Sequence, residues 1–377
     1  MRFDRENKDR YSVWWWTVDR VSLFVVLALV AFGCLMVGSA GSAVAERFGG
    51  GAFYFVNRQI IFALIGLSAM LGLSMTSESA LRRIAVGGFV LAYLLTAFAT
   101  FFGHELNGAR RWLSIAGFSL QPSELLKPFF CVTVAWLLSL GKRESGFNGY
   151  LYAFICYLFV VGLLLKQPDF GMTILVSAVW AAQIFLSGIP IWQTVVLAGG
   201  GCALFAGAYL TLEHVRARVS AFLGETGYQV EQSLRSFRSG GMGGRGPGEG
   251  VVKPDLPDAH TDFIFAVIAE ELGVAVNLAV IGLYLAVVAL STRRLLKEQN
   301  LFVLLAGSGL LIQFGLQAMI NMAVSVNMLP AKGMTLPLIS YGGSSMMSSC
   351  VTLGFILRMT RRRYGRCAPG INGLPAY

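Results

Sequence analysis

Residues Val21 to Val44 read VSLFVVLALVAFGCLMVGSAGSAV, a run without a single charged side chain, and this stretch decides the fold class. A bilayer core about 30 Å thick is crossed by roughly 20 apolar residues in an α-helix. Helices and closed barrels are the only spanning forms that pair every backbone polar group away from water. The run is too long for a signal-peptide core and lacks a clear cleavage pattern, so it reads as a retained first span. Further apolar runs lie at 59–75, 84–103, 125–141, 150–165, 170–187, 192–212, 262–291, 301–326 and 344–359. Of 377 residues, 55% are hydrophobic and 13% charged, about half the charged share of a soluble domain, which leaves little for a separate globular unit. The expected fold is an all-α integral membrane protein of about ten transmembrane helices over residues 21–360, with one large extracytoplasmic loop at 213–261.

The formal charge of +10 would suggest nucleic acid in a soluble protein, but here it is first a matter of topology. With the N-terminus inside, 17 of the 30 Lys and Arg fall on the cytoplasmic side and 13 outside, six of these in the long loop, where they weigh less. Both termini are therefore expected in the cytoplasm: residues 1–20, whose Trp14, Trp15 and Trp16 suit headgroup depth, and a basic tail at 361–377. No nucleic-acid partner is expected. Five of six cysteines lie in apolar runs and none forms a Cys-x-x-Cys, so neither disulfides nor zinc are indicated. The seven glycines between Gly240 and Gly250 follow no strand and open no helix, which reads as flexible loop rather than a phosphate cradle.

Charges in membrane segments are costly, so each is a functional candidate. Arg110 and Arg111 precede Gln121, Pro122, Glu124 and Lys127 at the mouth of the fourth span. Pro122 suits the first helical turn, and Glu124 and Lys127 then share a face, as a local ion pair or as part of a phosphate grip with the two arginines. Lys166 and Asp169 flank Gln167 and Pro168, with almost no linker, and read as a pair pinning a tight turn. Asp262 follows His260 and Thr261, where Thr261 or Asp262 could cap a helix; Glu270 and Glu271 would lie about 12 to 14 Å deeper on that helix, paired or neutral, in a structural role. Lys332, Ser340, Tyr341 and Ser344 sit among two prolines and three glycines, irregular backbone of the kind tolerated at membrane depth only when buried or lining an aqueous cavity.

Taken together, Asn107 to Trp112, Gln121 to Glu124 with Lys127, Gln167 to Gly171, Tyr228 to Ser233, Ala259 to Phe265 with Glu270 to Gly273, and Leu336 to Ser345 resemble the SEDS family of bacterial cell-wall polymerases. Pro330 to Gly333 before Thr335 and Leu336 look more like its division branch than its elongation branch. The resemblance implies the SEDS fold and a peptidoglycan glycosyltransferase of the cytoplasmic (inner) membrane at the division septum. Its substrate would be lipid II, a disaccharide-peptide joined through diphosphate to a polyprenyl chain, polymerised with inversion into a β-1,4 glycan. Asp262 would be the general base, with substrate contacts from Arg110, Arg111, Gln121, Glu124, Lys127, Lys332, Ser340, Tyr341 and Ser344. A class B penicillin-binding protein and other division proteins would be partners. Mg²⁺ or Mn²⁺ could assist the diphosphate, although no carboxylate cluster has ligand spacing that compels a metal. A lipid II flippase and a non-catalytic division scaffold are the competing readings.

Overall fold

The computed structural model describes residues 10–47, 53–106, 109–115, 118–211, 213, 215–217, 220, 227–330 and 333–361. In chain order the helices are α1 (Arg10–Thr17), α2 (Arg20–Arg47), α3 (Tyr54–Ser74), α4 (Glu78–Phe102), α5 (Pro122–Arg143), α6 (Gly149–Lys166), α7 (Phe170–Leu186) and α8 (Ile191–Thr211), followed by α9 (Tyr228–Gly240), α10 (Ile264–Leu272), α11 (Val274–Leu295), α12 (Leu301–Ser325) and α13 (Gly343–Met359). Seven of them, α2 to α6 with α11 and α12, are long and apolar enough to cross a membrane; α7, α8 and α13 occupy the remaining apolar runs. The fold is that of an all-α membrane protein.

Local chemistry sets the helix starts. Asp19 accepts hydrogen bonds from the Ser22 backbone N–H and hydroxyl at 3.3 and 2.9 Å, opening α2, and pairs with Arg294 at 2.9 Å. Ser77 caps α4 through Ala80 N–H, and Pro122 occupies the first turn of α5, where its missing N–H costs nothing. The tryptophan cluster on α1 is partly a packing element, because Trp14 is buried and donates to Ser74 Oγ at 2.9 Å. α13 lies along α3, α4 along α5, and α12 against both α5 and α7. α5 and α12 are the most enclosed spanning helices, whereas α3 and α4 turn Leu64, Leu91, Leu94 and Phe102 outward, as a hydrocarbon surround favours.

Three features depart from expectation. A small antiparallel sheet, β1 (His104–Leu106), β2 (Ala109–Ile115) and β3 (Phe118–Leu120), with β2 central, joins α4 to α5 where no strand was anticipated. The apolar run 262–291 is not one span: α10 ends at Gly273, whose φ of 86° turns the chain before α11 begins. A side chain at Gly273 would meet the Met242 carbonyl, so the break is held by contact with the preceding loop. That loop is not slack either. Arg245 and Gly246 donate backbone hydrogen bonds to the Glu270 and Glu271 carbonyls at 3.0 and 2.9 Å, and Gly244, with φ 78°, lies flat against Glu271. The glycines serve close approach here rather than freedom.

Candidate functional site

Asp262 sits in a turn between α9 and α10. Thr261 and Phe263 N–H both donate to the Asp258 carbonyl, and Asp258 itself adopts a left-handed φ of 54°. Two other elements hold the turn. Asn321 of α12 donates through Nδ2 to the Asp262 carbonyl at 2.8 Å and to the Met334 carbonyl at 2.6 Å. Ser340 donates to the Thr261 carbonyl at 2.5 Å, and Tyr341 N–H donates to the His260 carbonyl at 2.8 Å. Gln59, wholly buried on α3, donates to the Ser340 carbonyl at 3.1 Å. Residues far apart in sequence thus converge on the backbone of one turn, the one that carries Asp262.

The cap reading for Asp262 is corrected by the position of α10, whose N-cap is Phe263 with no side-chain cap hydrogen bond. Nor does Asp262 open a spanning helix, since α10 is a nine-residue piece with Ile264 to Glu271 all buried within the protein. Glu270 and Glu271 lie in the last turn of this short helix rather than in a spanning one. Glu270 instead accepts the backbone N–H groups of Val251, Val252 and Lys253 at 2.7, 2.7 and 3.0 Å. Glu271 pairs with Lys253 Nζ at 2.6 Å and accepts from Ser39 Oγ at 2.7 Å.

Electrostatics single Asp262 out. It is half-buried, and desolvation, reinforced by the charges of Asp258 and Glu124, pushes its carboxyl up to about 7. Burial also raises Asp258. His260, packed on Phe55 and Tyr341 with ring centroids 4.5 and 5.4 Å away, is lowered to about 4 by burial and is neutral at pH 7. Burial raises the Tyr341 hydroxyl as well, against the opposing effect of a hydrogen bond from the Arg58 guanidinium. Among the described residues no three His, Cys, Asp or Glu gather at metal-ligand spacing.

Glu124 and Lys127 pair at 2.8 Å, and Lys127 Nζ also donates to Gln317 Oε1 at 2.7 Å. Gln317 donates onward to the Thr335 carbonyl, Ser348 Oγ donates to the Glu124 carbonyl, and Gln121 N–H donates to Ser344 Oγ. The buried pair therefore ties α5 to α12, α13 and the loop before α13. Arg111 donates to the Gln167 and Pro168 carbonyls at 2.9 and 2.6 Å and pairs with Asp169 at 3.7 Å. The expected Lys166–Asp169 pair is thereby corrected: Asp169 faces Arg111 and caps Met172 N–H, while Lys166 lies 4.2 Å from the centre of the Phe101 ring. Arg111 reaches that turn because β2 carries it there, something no local pattern shows. Arg110 is exposed on β2, and Lys332 lies outside the described residues. Sequence reasoning passed over Arg58 and Gln59, although a charge next to an amide at the mouth of an apolar run was the available signal.

The family model described as a cell cycle protein of FtsW, RodA and SpoVE type matches residues 19–365. The chain is 41% identical to the probable peptidoglycan glycosyltransferase FtsW of Caulobacter vibrioides, the match covering 96% of this chain and 94% of that one. It is 34% identical to the protein of the same name from Coxiella burnetii, over 91% and 96% of the two chains. Among solved structures, a chain from work on the structural coordination of polymerization and crosslinking by a peptidoglycan synthase complex matches with TM-score 0.75, 29% identity and coverage of 91% and 97%. The rod shape determining protein RodA of Thermus thermophilus matches with TM-score 0.68, 30% identity and coverage of 93% and 99%.

Proposed function

The chain belongs to the FtsW, RodA and SpoVE family of cell cycle proteins, and from that membership and the geometry around Asp262 we propose how it works as a peptidoglycan glycosyltransferase. It is a multi-pass protein of the bacterial inner membrane. The donor is lipid II. In the step proposed, the acceptor sugar hydroxyl attacks the anomeric carbon of the donor, its proton passes to the Asp262 carboxylate, and the bond from that carbon to the diphosphate breaks with inversion. The product is a β-1,4 strand longer by one disaccharide unit. A diphosphate leaves without an acid, so one base suffices.

The observation that supports this reading best is a carboxyl raised to about 7 on a turn whose backbone is held by Asn321 and the loop before α13, because a base works best with its pKa near the operating pH. Exposed Arg110, with Arg58 beside Tyr341, would meet the diphosphate charge. Arg111 and Lys127 already bind protein carbonyls, carboxylates and Gln317, so they act by holding the framework upright. Both termini lie in the cytoplasm, residues 213–261 lie outside, and the protein works at the septum with a class B penicillin-binding protein that cross-links its strands.

Purified protein, with its partner, is given lipid II in detergent, where there are no two sides to flip between. Glycan chains are expected, and Asp262→Asn should abolish them while lipid II binding survives. Binding without polymerisation by the wild-type complex would favour a flippase, and neither would favour a scaffold.

A further inference from the structure

One flank of the Asp262 carboxyl is faced by a residue without a side chain. Gly333 lies in the loop before α13 with a left-handed φ of 61°, and a Cβ placed on it would stand 3.4 Å from Asp262 Oδ2. Among the described residues, its chain neighbours aside, that Cβ would meet nothing else within 4 Å. Gly333 is exposed, whereas Phe263, Asn321 and Met334 around it and Asp262 are buried, so the exposed face of Gly333 abuts Oδ2. The spacing of the two residues is fixed. A single amide, Asn321 Nδ2, donates to the Asp262 carbonyl at 2.8 Å and to the Met334 carbonyl at 2.6 Å, which ties the turn to the loop. Beyond Met334, the Thr335 carbonyl accepts from Gln317 at 3.2 Å, the Thr335 hydroxyl meets Ser345 Oγ at 2.5 Å, and Leu336 N–H donates to Ser340 Oγ at 2.8 Å. Each of the three residues after Gly333 is thus held, and the loop is not free to step back from the carboxyl to admit a side chain.

We propose that Gly333 is a specificity-determining residue for the glycosyl acceptor, its bare Cα forming the wall along which a pyranose ring lies when its secondary hydroxyl reaches Asp262 Oδ2. The inference rests on the reading of Asp262 as the base. A base takes a proton from a hydroxyl whose oxygen stands about 2.6 to 3.2 Å away. A secondary ring hydroxyl brings its own carbon and both flanking ring carbons close behind it, so it needs a flat approach to the carboxyl. Water, or a primary alcohol on a flexible arm, does not. A methyl group 3.4 Å from the same oxygen would occupy the layer that the ring must enter. Backbone geometry and room make different demands here. A positive φ by itself is met by glycine and, among residues with side chains, best by asparagine. Room for a sugar ring is met by glycine alone, and asparagine fills more of it than alanine does.

Gly333→Ala and Gly333→Asn separate these demands. The full chain, purified with its partner in detergent, is given saturating lipid II at pH 8, above the value of about 7 at Asp262, and glycan synthesis and thermal unfolding are measured on the same samples. Asparagine accepts the left-handed backbone, so Gly333→Asn should melt closer to wild type than Gly333→Ala. It should nevertheless be at least as slow, with both variants down about 10²-fold in rate, the loss expected when a reacting group is displaced by about 1 Å. Rates that follow the melting temperatures, with Gly333→Asn restoring synthesis, would overturn the proposal, as would near-normal synthesis by either folded variant. A loss that disappears when the pH is raised further would mark an effect on the charge of Asp262 rather than on room, and would overturn it equally. Should Gly333→Ala fail to fold, Gly333→Asn decides by itself. Asp262→Asn, assayed alongside, keeps the two readings apart: synthesis by Asp262→Asn removes the base, whereas its loss together with normal synthesis by Gly333→Asn removes only the wall.

Discussion

A carboxyl raised to about 7 makes the rate of polymerisation depend on pH in a range where an ordinary aspartate would not. At about 7, Asp262 is ionised in about one-tenth of molecules at pH 6 and about nine-tenths at pH 8, so the rate with saturating lipid II should rise about ten-fold between them. With the carboxyl at its ordinary 3.8 the same ratio would be about one. The structure also says which group to change. After desolvation, the largest cause of the rise is the charge of Asp258, so Asp258→Asn should move the acid limb to lower pH and shrink the ratio. Asparagine suits this test because it tolerates the left-handed backbone, φ 54°, that residue 258 adopts. The assay is glycan synthesis by the purified complex at each pH, with lipid II binding measured in parallel so that the chemical step is isolated. Asp262→Asn should lose about 10²- to 10⁴-fold in rate. A flat profile in the wild-type enzyme refutes the raised carboxyl, and near-normal synthesis by folded Asp262→Asn refutes the base itself.

The same shift has a sign for stability. Between pH 3.8 and about 7 the folded protein binds a proton at Asp262 that the unfolded chain has released, so this residue's contribution to stability falls as pH rises. Asp262→Asn should accordingly raise the melting temperature at pH 8 and leave it nearly unchanged at pH 3.5, as thermal unfolding in detergent will show. Lys127→Met leaves Glu124 buried without its cation and should cost about 3 to 5 kcal/mol, part of it recovered by adding Glu124→Gln; denaturant unfolding of the two variants checks this. Glu270→Ala strands three backbone N–H groups and should cost about 3 kcal/mol, with faster proteolysis between Arg245 and Lys253 as the readout. An active periplasmic reporter is expected after Gly240 and an inactive one after Arg366; the reverse would overturn the orientation.

How much was legible follows from how local each signal is. A spanning helix announces itself in about 20 consecutive residues, which is why the ten apolar runs were placed from sequence. The Glu124–Lys127 pair was legible for the same reason, being separated by one helical turn. The break at Gly273 was not, because an isolated glycine in an apolar run is common and only the Met242 carbonyl, 31 positions away, makes this one obligatory. Arg111 and Asp169 find one another across the small sheet, whose three short strands carry too little alternation to be seen. Asp262 was nominated by its resemblance to a family motif, yet its charge environment could not be signed until Asp258 and Glu124 were found to raise it together. Arg58 and Gln59 reach the site through residues near 340, a distance in sequence that no window spans.

The way the Asp262 turn is held has a consequence for biosynthesis. Its supports come from Gln59 on α3, Asn321 on α12 and Ser340 before α13, so the first arrives early in translation and the last only near its end. Gln121 likewise waits for Ser344, and Ser39 waits 232 positions for Glu271. Once made, Asp262 therefore stays unbraced while α11 and most of α12 are inserted. A chain that ended before Asn321 would carry most of its membrane helices yet lack two of the three supports of the Asp262 turn.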